Sequence, residues 1–541
     1  MKNFSIKEIS ILFFLAIVLF LSSINTIPVL DRDEARFVQA SKQMFETSDY
    51  VNIKFQEEYR SKKPIGIYWL QAGLINFLSE KKSSIWSYRL ISSIAAILSI
   101  LTLYFLTNKF FGIKVGFYSA LILSCGLLFI IESHIAKTDS VLLTLSTIVM
   151  LLLLGYYRGS YKNQIGYSFF LWGTIGLSIL IKGPVLPFIV ILSIVTVILL
   201  DKKGQWFYNT KPLLGVLIVI CINLPWFLLM SEGQFNSFIN EGIKVDFIGK
   251  IISVKESHNA FFGAHLLSLL ILFFPMSFFF FPLFFKIKEN YKVREYRFLL
   301  AWIIPGFLIF ELIPTKLPHY TLPFYPAISI LMGNLINEQN NDYFFKKISI
   351  FGYFLYFLAG SFIVTVLTLG VIEYGEFGNF FIFLAIILPI LKLIGIYTLF
   401  KKGVIWTFYY KITLACLFSV LIFFSYLPNM EKIWVSRKIV NTLVSDNDNL
   451  VSHKIATIGY NEPSLVFEVG SELSVIRNES FLSKNVKKYE YLITEKLYYN
   501  KVIEIFDAND INYNVLNQFE GFNPAKNKKV MIFIFKIYQE L

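Results

Sequence analysis

The sequence predicts a polytopic α-helical membrane protein with a small water-soluble α/β domain at its C-terminus. Three observations predict it. Of the 541 residues, 55% are hydrophobic and only 16% are charged. The apolar residues gather in runs of about 18–25, the length of a membrane span. The Lys and Arg residues collect in alternate short loops between those runs.

A soluble protein of this size carries roughly a quarter charged residues, and the mean hydropathy here is +0.60. Core helices of soluble proteins are shorter than these runs and keep a polar face. The first run, Ile9–Leu30, is too long for a signal peptide and others follow it, so it reads as a retained helix. Candidate spans cover 9–30, 85–108, 115–132, 139–157, 166–182, 184–200, 212–230, 263–285, 297–313, 320–337, 346–372, 377–400 and 408–428, about thirteen in all. The segment Ile65–Leu78 is apolar but too short to cross, and is expected to be re-entrant or interfacial.

With Lys2 and Lys7 in the cytoplasm, the even-numbered spans end there too, at clusters such as Lys109/Lys114, Lys202/Lys203/Lys211 and Lys401/Lys402. The short opposite loops carry one Lys or none. An odd number of spans then exports the C-terminus. The net charge of +13 is therefore a topology signal and a contact for anionic lipids, not a nucleic-acid footprint. Cys125, Cys221 and Cys416 lie far apart inside apolar runs; they show no metal or redox spacing and exclude a disulfide framework in the exported parts. From residue 431 the long apolar runs stop. Lys454–Gly459, Tyr489–Thr494 and Lys529–Tyr538 read as strands and Val502–Ala508 as a helix, the pattern of an α/β module.

In a chain this apolar, ionisable residues at the membrane carry the functional information. Those on the exported side mix acids, His and Lys, whereas the cytoplasmic loops offer mainly Lys and Arg, so a site with acids, bases and anion binders faces outward. The spans themselves are nearly free of charge at their centres. Asp31-Arg32-Asp33-Glu34-Ala35-Arg36 follows the first span and opens an amphipathic stretch, Ala35–Thr47; Asp33 either caps that helix or acts as a general base or transition-state stabiliser. Lys62-Lys63-Pro64 opens the short apolar segment, where a lysine either snorkels or binds a lipid phosphate. Glu132-Ser133-His134 and Lys137-Thr138-Asp139 share a tight outer turn. Asp139 begins a span and suits a cap, while Glu132 and His134, with His258, are the candidate ligands of a divalent metal, although their spacing matches no standard zinc pattern. Ser257-His258-Asn259 lies in the long loop before the eighth span. In Lys316-Leu317-Pro318-His319-Tyr320-Thr321-Leu322-Pro323 the prolines predict an unwound span entry lining a cavity, with Lys316, His319 and Tyr320 as donors to an anion. Lys182-Gly183-Pro184 reads as a structural turn.

Asp33-Glu34-Ala35-Arg36-Phe37 resembles the Asp-Glu-x-Arg-Tyr signature of bacterial GT-C glycosyltransferases, in particular the lipid A aminoarabinose transferase and related protein mannosyltransferase-like family. Lys63-Pro64-Ile65 with Tyr68-Trp69, Asp139 after its Lys-Thr pair, His258-Asn259 before Phe261-Phe262, and Lys316-Leu317-Pro318 with Tyr320, Leu322 and Pro323 are similar to that family's further elements, in order, over residues 1–340. The resemblance implies a GT-C catalytic domain over 1–430, with interfacial helices in 31–84, and an exported domain over 431–541. It implies a bacterial inner-membrane protein with a cytoplasmic N-terminus and a periplasmic C-terminal domain. The activity implied is transfer of a sugar, with inversion, from a polyprenyl-phosphate donor to a lipid or glycan acceptor such as lipid A, with membrane lipids and no nucleic acid as further partners. By resemblance Asp33 is the base or reacting-centre carboxylate and Asp139 the second acid; Arg36, Lys63, Tyr320 and Lys316 hold the donor phosphate; and Glu34, His258, Asn259 and His319 contact the acceptor or serve otherwise. Two positions depart from the pattern. Lys62 stands where relatives commonly have an acid, which weakens a metal site built there, and Ser257 stands where they often have Gly, which leaves the acceptor open. The competing readings are a lipid or polysaccharide transporter or flippase, which needs ionisable groups near the midplane, and a scaffold acting through its exported tail.

Overall fold

The computed structural model describes residues 5–78, 84–161, 164–249 and 260–538. The N-terminal portion is a bundle of apolar helices: α1 (Ile6–Ala16), α2 (Asp33–Thr47), α3 (Gly66–Leu78), α4 (Ile85–Phe111), α5 (Ile113–Ser124), α6 (Leu127–Ser133), α7 (Asp139–Tyr157), α8 (Ile165–Lys182) and α9 (Val185–Asp201), followed by further helices to Asn429. Among the described residues, seven helices are long and apolar enough to cross a membrane, and nine if each of two bent pairs is one span. Each bent pair falls within one of the about thirteen expected spans, and the spans expected over 9–30, 184–200 and 320–337 fall on shorter helices. α5 and α6 meet at Gly126 with a 67° bend, and the pair Ala264–Leu272 and Met276–Asn290 bends by 116° at Pro275. α9 has 17 residues, and the first run divides into the 11-residue α1 with a π turn, Ile17–Leu21, and a non-helical tail. The last part of the Lys316–Pro323 motif is a 3-10 turn, Pro318–Phe324, leading into the 14-residue helix Tyr325–Glu338, as its prolines predict.

Small residues let these helices approach closely, as association in lipid requires. A Cβ on Gly333 would sit 2.4 Å from the Ser119 hydroxyl of α5. α7, buried over nearly its whole length, forms the centre of the bundle. α2 buries Ala35, Phe37, Val38, Ala40 and Met44. The short apolar segment forms the 13-residue α3, whose Tyr68 and Ala72 join Phe37 and Met44 in one cluster. Two lysines lie wholly buried within later helices: Lys392 donates to Ser361 Oγ (2.8 Å) and Lys411 to the Tyr356 hydroxyl (3.1 Å), the latter also lying over the Phe278 and Tyr356 rings. The spans therefore hold ionisable side chains at buried positions, which the expectation of nearly charge-free centres passed over.

A two-stranded ribbon, β1 (Lys54–Phe55) and β2 (Glu58–Tyr59), lies between α2 and α3. The C-terminal region holds β3 (Ile455–Ile458), β4 (Ser474–Ile476), β5 (Tyr491–Glu495), β6 (Asn512–Asn523) and β7 (Lys528–Tyr538), in the order β4-β3-β5-β7-β6. β3 is parallel to β4 and β5; β7 is antiparallel to β5 and β6. Successive side chains of a strand point to opposite faces, and both faces are covered. Ile493 and Ile534 pack under the helix Val435–Asp446, while Leu492 and Phe535 pack with Val502 and Phe506 of the helix Tyr499–Ala508. The three strands and the helix read from the sequence are present; β4 and β6 are additional.

Gly66 sets how closely α3 meets α8. A Cβ there would lie 2.7 Å from the Leu180 carbonyl oxygen, which is backbone and does not yield easily. Gly66→Ala gains about 1 kcal/mol of helix propensity and loses about 1–3 kcal/mol to the overlap. A thermal melt of the purified variant is expected to show a lower midpoint than wild type.

Candidate functional site

The site begins with a buried ion pair. Glu34, in the first turn of α2, and Arg89, in the first turns of α4, are 1% and 0% exposed and meet through two parallel bonds of 2.8 Å. The remaining Arg89 N–H groups donate to the carbonyls of Ile24, Ile27 and Pro28 (3.0, 2.8 and 2.9 Å), so all five donors are used. Glu34 also accepts from the backbone N–H of Leu30 (2.9 Å) and of Ala136 (2.8 Å). One carboxylate thus ties the chain before α2 to the turn between α6 and α7. That corrects the expectation that Glu34 contacts the acceptor.

These ties bring the start of α2 and the start of α7 to one cavity of about 390 Å³. Asp33, Lys63, Lys137, Asp139, Lys182, His319 and Tyr320 supply its polar wall, and Phe37, Leu142, Phe188, Phe310 and Leu317 are among its apolar residues. Asp139 pairs with Lys182 at 2.5 Å. Lys137 pairs with Glu132 at 3.2 Å. Burial alone would lower the Lys137 ammonium, but the carboxylates of Glu132, Asp139 and Asp33 outweigh it and hold the group above the ordinary lysine range. Burial drives the His319 imidazole well below its ordinary value, against the pull of the Asp139 carboxylate and with the help of Lys182, Lys137 and Lys63. His319 is therefore a neutral ring at neutral pH, suited to hydrogen bonding. The wall carries three cations against two carboxylates and continues into apolar surface. That is a receptacle for an anionic head group with an apolar tail, beside a carboxylate.

Of the residues expected from the sequence, the structure brings Asp33, Asp139, Lys63, His319 and Tyr320 together. Others stand elsewhere. Lys316 is turned away: its Nζ lies 2.6 Å from the Glu311 carbonyl oxygen, 3.1 Å from that of Ile313 and 3.8 Å from the Glu311 carboxylate. Glu311 in turn accepts from Gly263 and Leu266, fastening the start of the helix Ala264–Leu272. Arg36 does not line the cavity; its charge acts on Asp31, whose carboxyl burial pushes up to about 6. His134 stacks on Phe423 at 3.9 Å, its ring nitrogens 2.8 and 2.9 Å from the carbonyls of Ile130 and Ser22. Glu132 is taken by Lys137. Among the described residues no three His, Cys, Asp or Glu side chains group to hold a metal, and Glu132 and His134 of the expected ligand set are engaged by Lys137 and by the Ile130 and Ser22 carbonyls. His258 and Asn259 lie outside the described residues.

Sequence reasoning missed Arg89, which was signalled by a lone arginine inside an apolar run. It also read the Lys182 turn as merely structural. Gly183, at φ +66°, closes that turn and points Lys182 of α8 toward Asp139.

The sequence model of the family described as dolichyl-phosphate-mannose-protein mannosyltransferase matches residues 62–228. An uncharacterized protein of Aquifex aeolicus (strain VF5) is 29% identical over 371 residues, 68% of this chain and 80% of that one. The undecaprenyl phosphate-alpha-4-amino-4-deoxy-L-arabinose arabinosyl transferase of Yersinia pestis (strain Pestoides F) is 22% identical over 364 residues, 66% of this chain and 64% of that enzyme. The crystal structure of ArnT from Cupriavidus metallidurans bound to undecaprenyl phosphate superposes with a TM-score of 0.74 at 17% identity, covering 97% of each chain. The protein is thus a multi-pass membrane enzyme with the fold of the GT-C glycosyltransferases. In sequence and fold it is similar to glycosyltransferases of the aminoarabinose transferase and protein mannosyltransferase type.

The Glu34–Arg89 pair makes a direct prediction. Arg89→Met leaves a buried carboxylate unpaired and is expected to cost about 3–5 kcal/mol. Glu34→Gln/Arg89→Met should lose less than the sum of the two single changes in denaturation of the detergent-solubilised protein.

Proposed function

We propose that the enzyme transfers a sugar from a polyprenyl-phosphate donor to an acceptor on the exported face of a bacterial inner membrane, with inversion at the sugar carbon. The observation that carries the reading is the cavity in which Asp33 and Asp139 face Lys63, Lys137 and Lys182 beside apolar wall. Undecaprenyl phosphate is bound in the ArnT crystal structure with which this chain shares its fold. The alternation of Lys and Arg between loops supports a cytoplasmic N-terminus and an exported C-terminal region. No nucleotide sugar is available on that side, so a lipid-linked donor is required.

In this reading the three lysines and Tyr320 bind the donor phosphate. Asp33 accepts the proton of the acceptor hydroxyl as its oxygen attacks the sugar carbon. The bond from that carbon to the phosphate oxygen breaks, and the charge left on polyprenyl phosphate is held by the cations in a site largely shielded from water. Asp139 orients Lys182. The acceptor is a lipid or glycan such as lipid A.

The test is turnover of purified protein in nanodiscs, given a panel of polyprenyl-phosphate sugars and a bacterial lipid extract. Wild type is expected to release polyprenyl phosphate, and Asp33→Asn to lower kcat by 10²-fold or more, the scale of a lost general base. A folded Asp33→Asn with normal turnover removes Asp33 from the chemistry. Lys63→Ala is expected to weaken polyprenyl phosphate binding about tenfold, in the range of a lost charge-assisted contact, and an unchanged affinity counts against the phosphate role.

A further inference from the structure

We propose that the C-terminal region is a positioning device for Asp33: Phe467 seats the helix that begins with this aspartate, and the two residues before it are pinned to the same region. This rests on the reading of Asp33 as the reacting-centre carboxylate.

Phe467 belongs to the C-terminal helix Pro463–Val469 but is wholly buried in a cluster whose other members come from the membrane portion, among them Val29, Ala35, Val38, Tyr88 and Ala136. Its ring meets that of Tyr88 edge to face, with centroids 5.5 Å apart. Its carbonyl oxygen accepts from the Lys42 ammonium at 2.9 Å, and Lys42 is itself 5% exposed on α2. Ala35 and Val38 are on α2, and Ala136 is the residue whose N–H is held by Glu34. The ring therefore packs with α2, which begins at Asp33, and with the turn before α7.

The chain just before Asp33 is held from the same side. The Asp31 carboxylate accepts the backbone N–H of Ser464 at 3.2 Å, and the Arg32 guanidinium donates to the Ala525 carbonyl. Arg32 has φ +64°, a conformation that a non-glycine residue keeps only where its surroundings over-determine it. An opening of about 290 Å³ lies beside Asp31 and Arg32 at this seam, so close packing does not complete the job there. Contacts with the C-terminal region thus hold Asp31 and Arg32 on one side of Asp33, as the Glu34–Arg89 pair holds the other. A shift of about 1 Å in a reacting group lowers rates by about 10²-fold.

The experiment uses the full chain in nanodiscs, with wild type, Phe467→Ala, Phe467→Leu and Lys42→Met. Two readouts are taken: hydrogen exchange of peptides covering 30–47 and 139–157, and steady-state release of polyprenyl phosphate. Phe467→Ala is expected to speed exchange in 30–47 and leave 139–157 protected. It should lower kcat by about 10- to 100-fold with the donor KM within about twofold, because the lysines come from other elements. Phe467→Leu, which keeps apolar bulk, should restore most of kcat. Unchanged exchange in 30–47 overturns the proposal whatever the activity. So does normal kcat in a folded Phe467→Ala, or a raised KM with kcat intact. If Phe467→Ala does not fold, Lys42→Met is judged by the same two readouts and the same criteria. A wild type silent in turnover speaks against the proposed reaction alone, and hydrogen exchange then decides the clamp by itself.

Discussion

The Glu34–Arg89 pair is the constraint on which the rest of the site depends. Two charges in a nearly dry environment are stable together only when geometry and further hydrogen bonds repay their desolvation. Here they are repaid in full, by two parallel bonds, three carbonyls and two backbone N–H groups. Those partners lie on three separate stretches of chain: residues 24–30, the first turn of α4, and the α6–α7 turn. Satisfying the pair fixes all three relative to one another. The two cavity carboxylates inherit their positions, since Asp33 adjoins Glu34 and Asp139 lies three residues beyond Ala136.

The cavity works through a balance of the same kind at lower cost. Asp139 pairs with Lys182 and Glu132 with Lys137, and the carboxylates around Lys137 keep that ammonium charged despite burial. The lysines of the wall suit an anion, while His319 stays neutral among its cationic neighbours. The apolar wall of Phe37, Leu142, Phe188 and Phe310 continues from that patch. Charge at one end and hydrocarbon at the other match the two halves of a lipid phosphate. The C-terminal region lies against the same end through Phe467, Ser464 and Ala525, so its proximity to the chemistry is a matter of packing.

Much of this was legible in the sequence and some was not, for identifiable reasons. Asp33, Lys63, Asp139, His319 and Tyr320 were found because each stands in a short motif at the edge of an apolar run, where a charge or proline needs an explanation. Lys316 belongs to such a motif too, but its neighbour Glu311 captures it, and a linear reading does not show which way a lysine turns. Glu34 and Asp33 are adjacent acids with opposite fates, one locked to Arg89 and the other at the cavity wall, because successive helical residues point about 100° apart. Gly126 and Pro275 bend helices inside single apolar stretches, and three further expected spans fall on helices of 11, 17 and 14 residues, features that hydropathy alone does not show.

The sequence by itself determined that the chain is a membrane protein, which stretch forms a sheet, and which motifs are candidates for chemistry. These follow from local quantities: the length of apolar runs, the period of alternation, and the isolated charge. Only the tertiary structure decided which charges neutralise each other. Glu34 finds Arg89 at a separation of 55 residues, Asp139 finds Lys182 at 43, and Phe467 reaches Tyr88 across most of the chain. Such pairings depend on helix order and bend angles, and in a low-dielectric interior they determine whether an acid is structural or free to act.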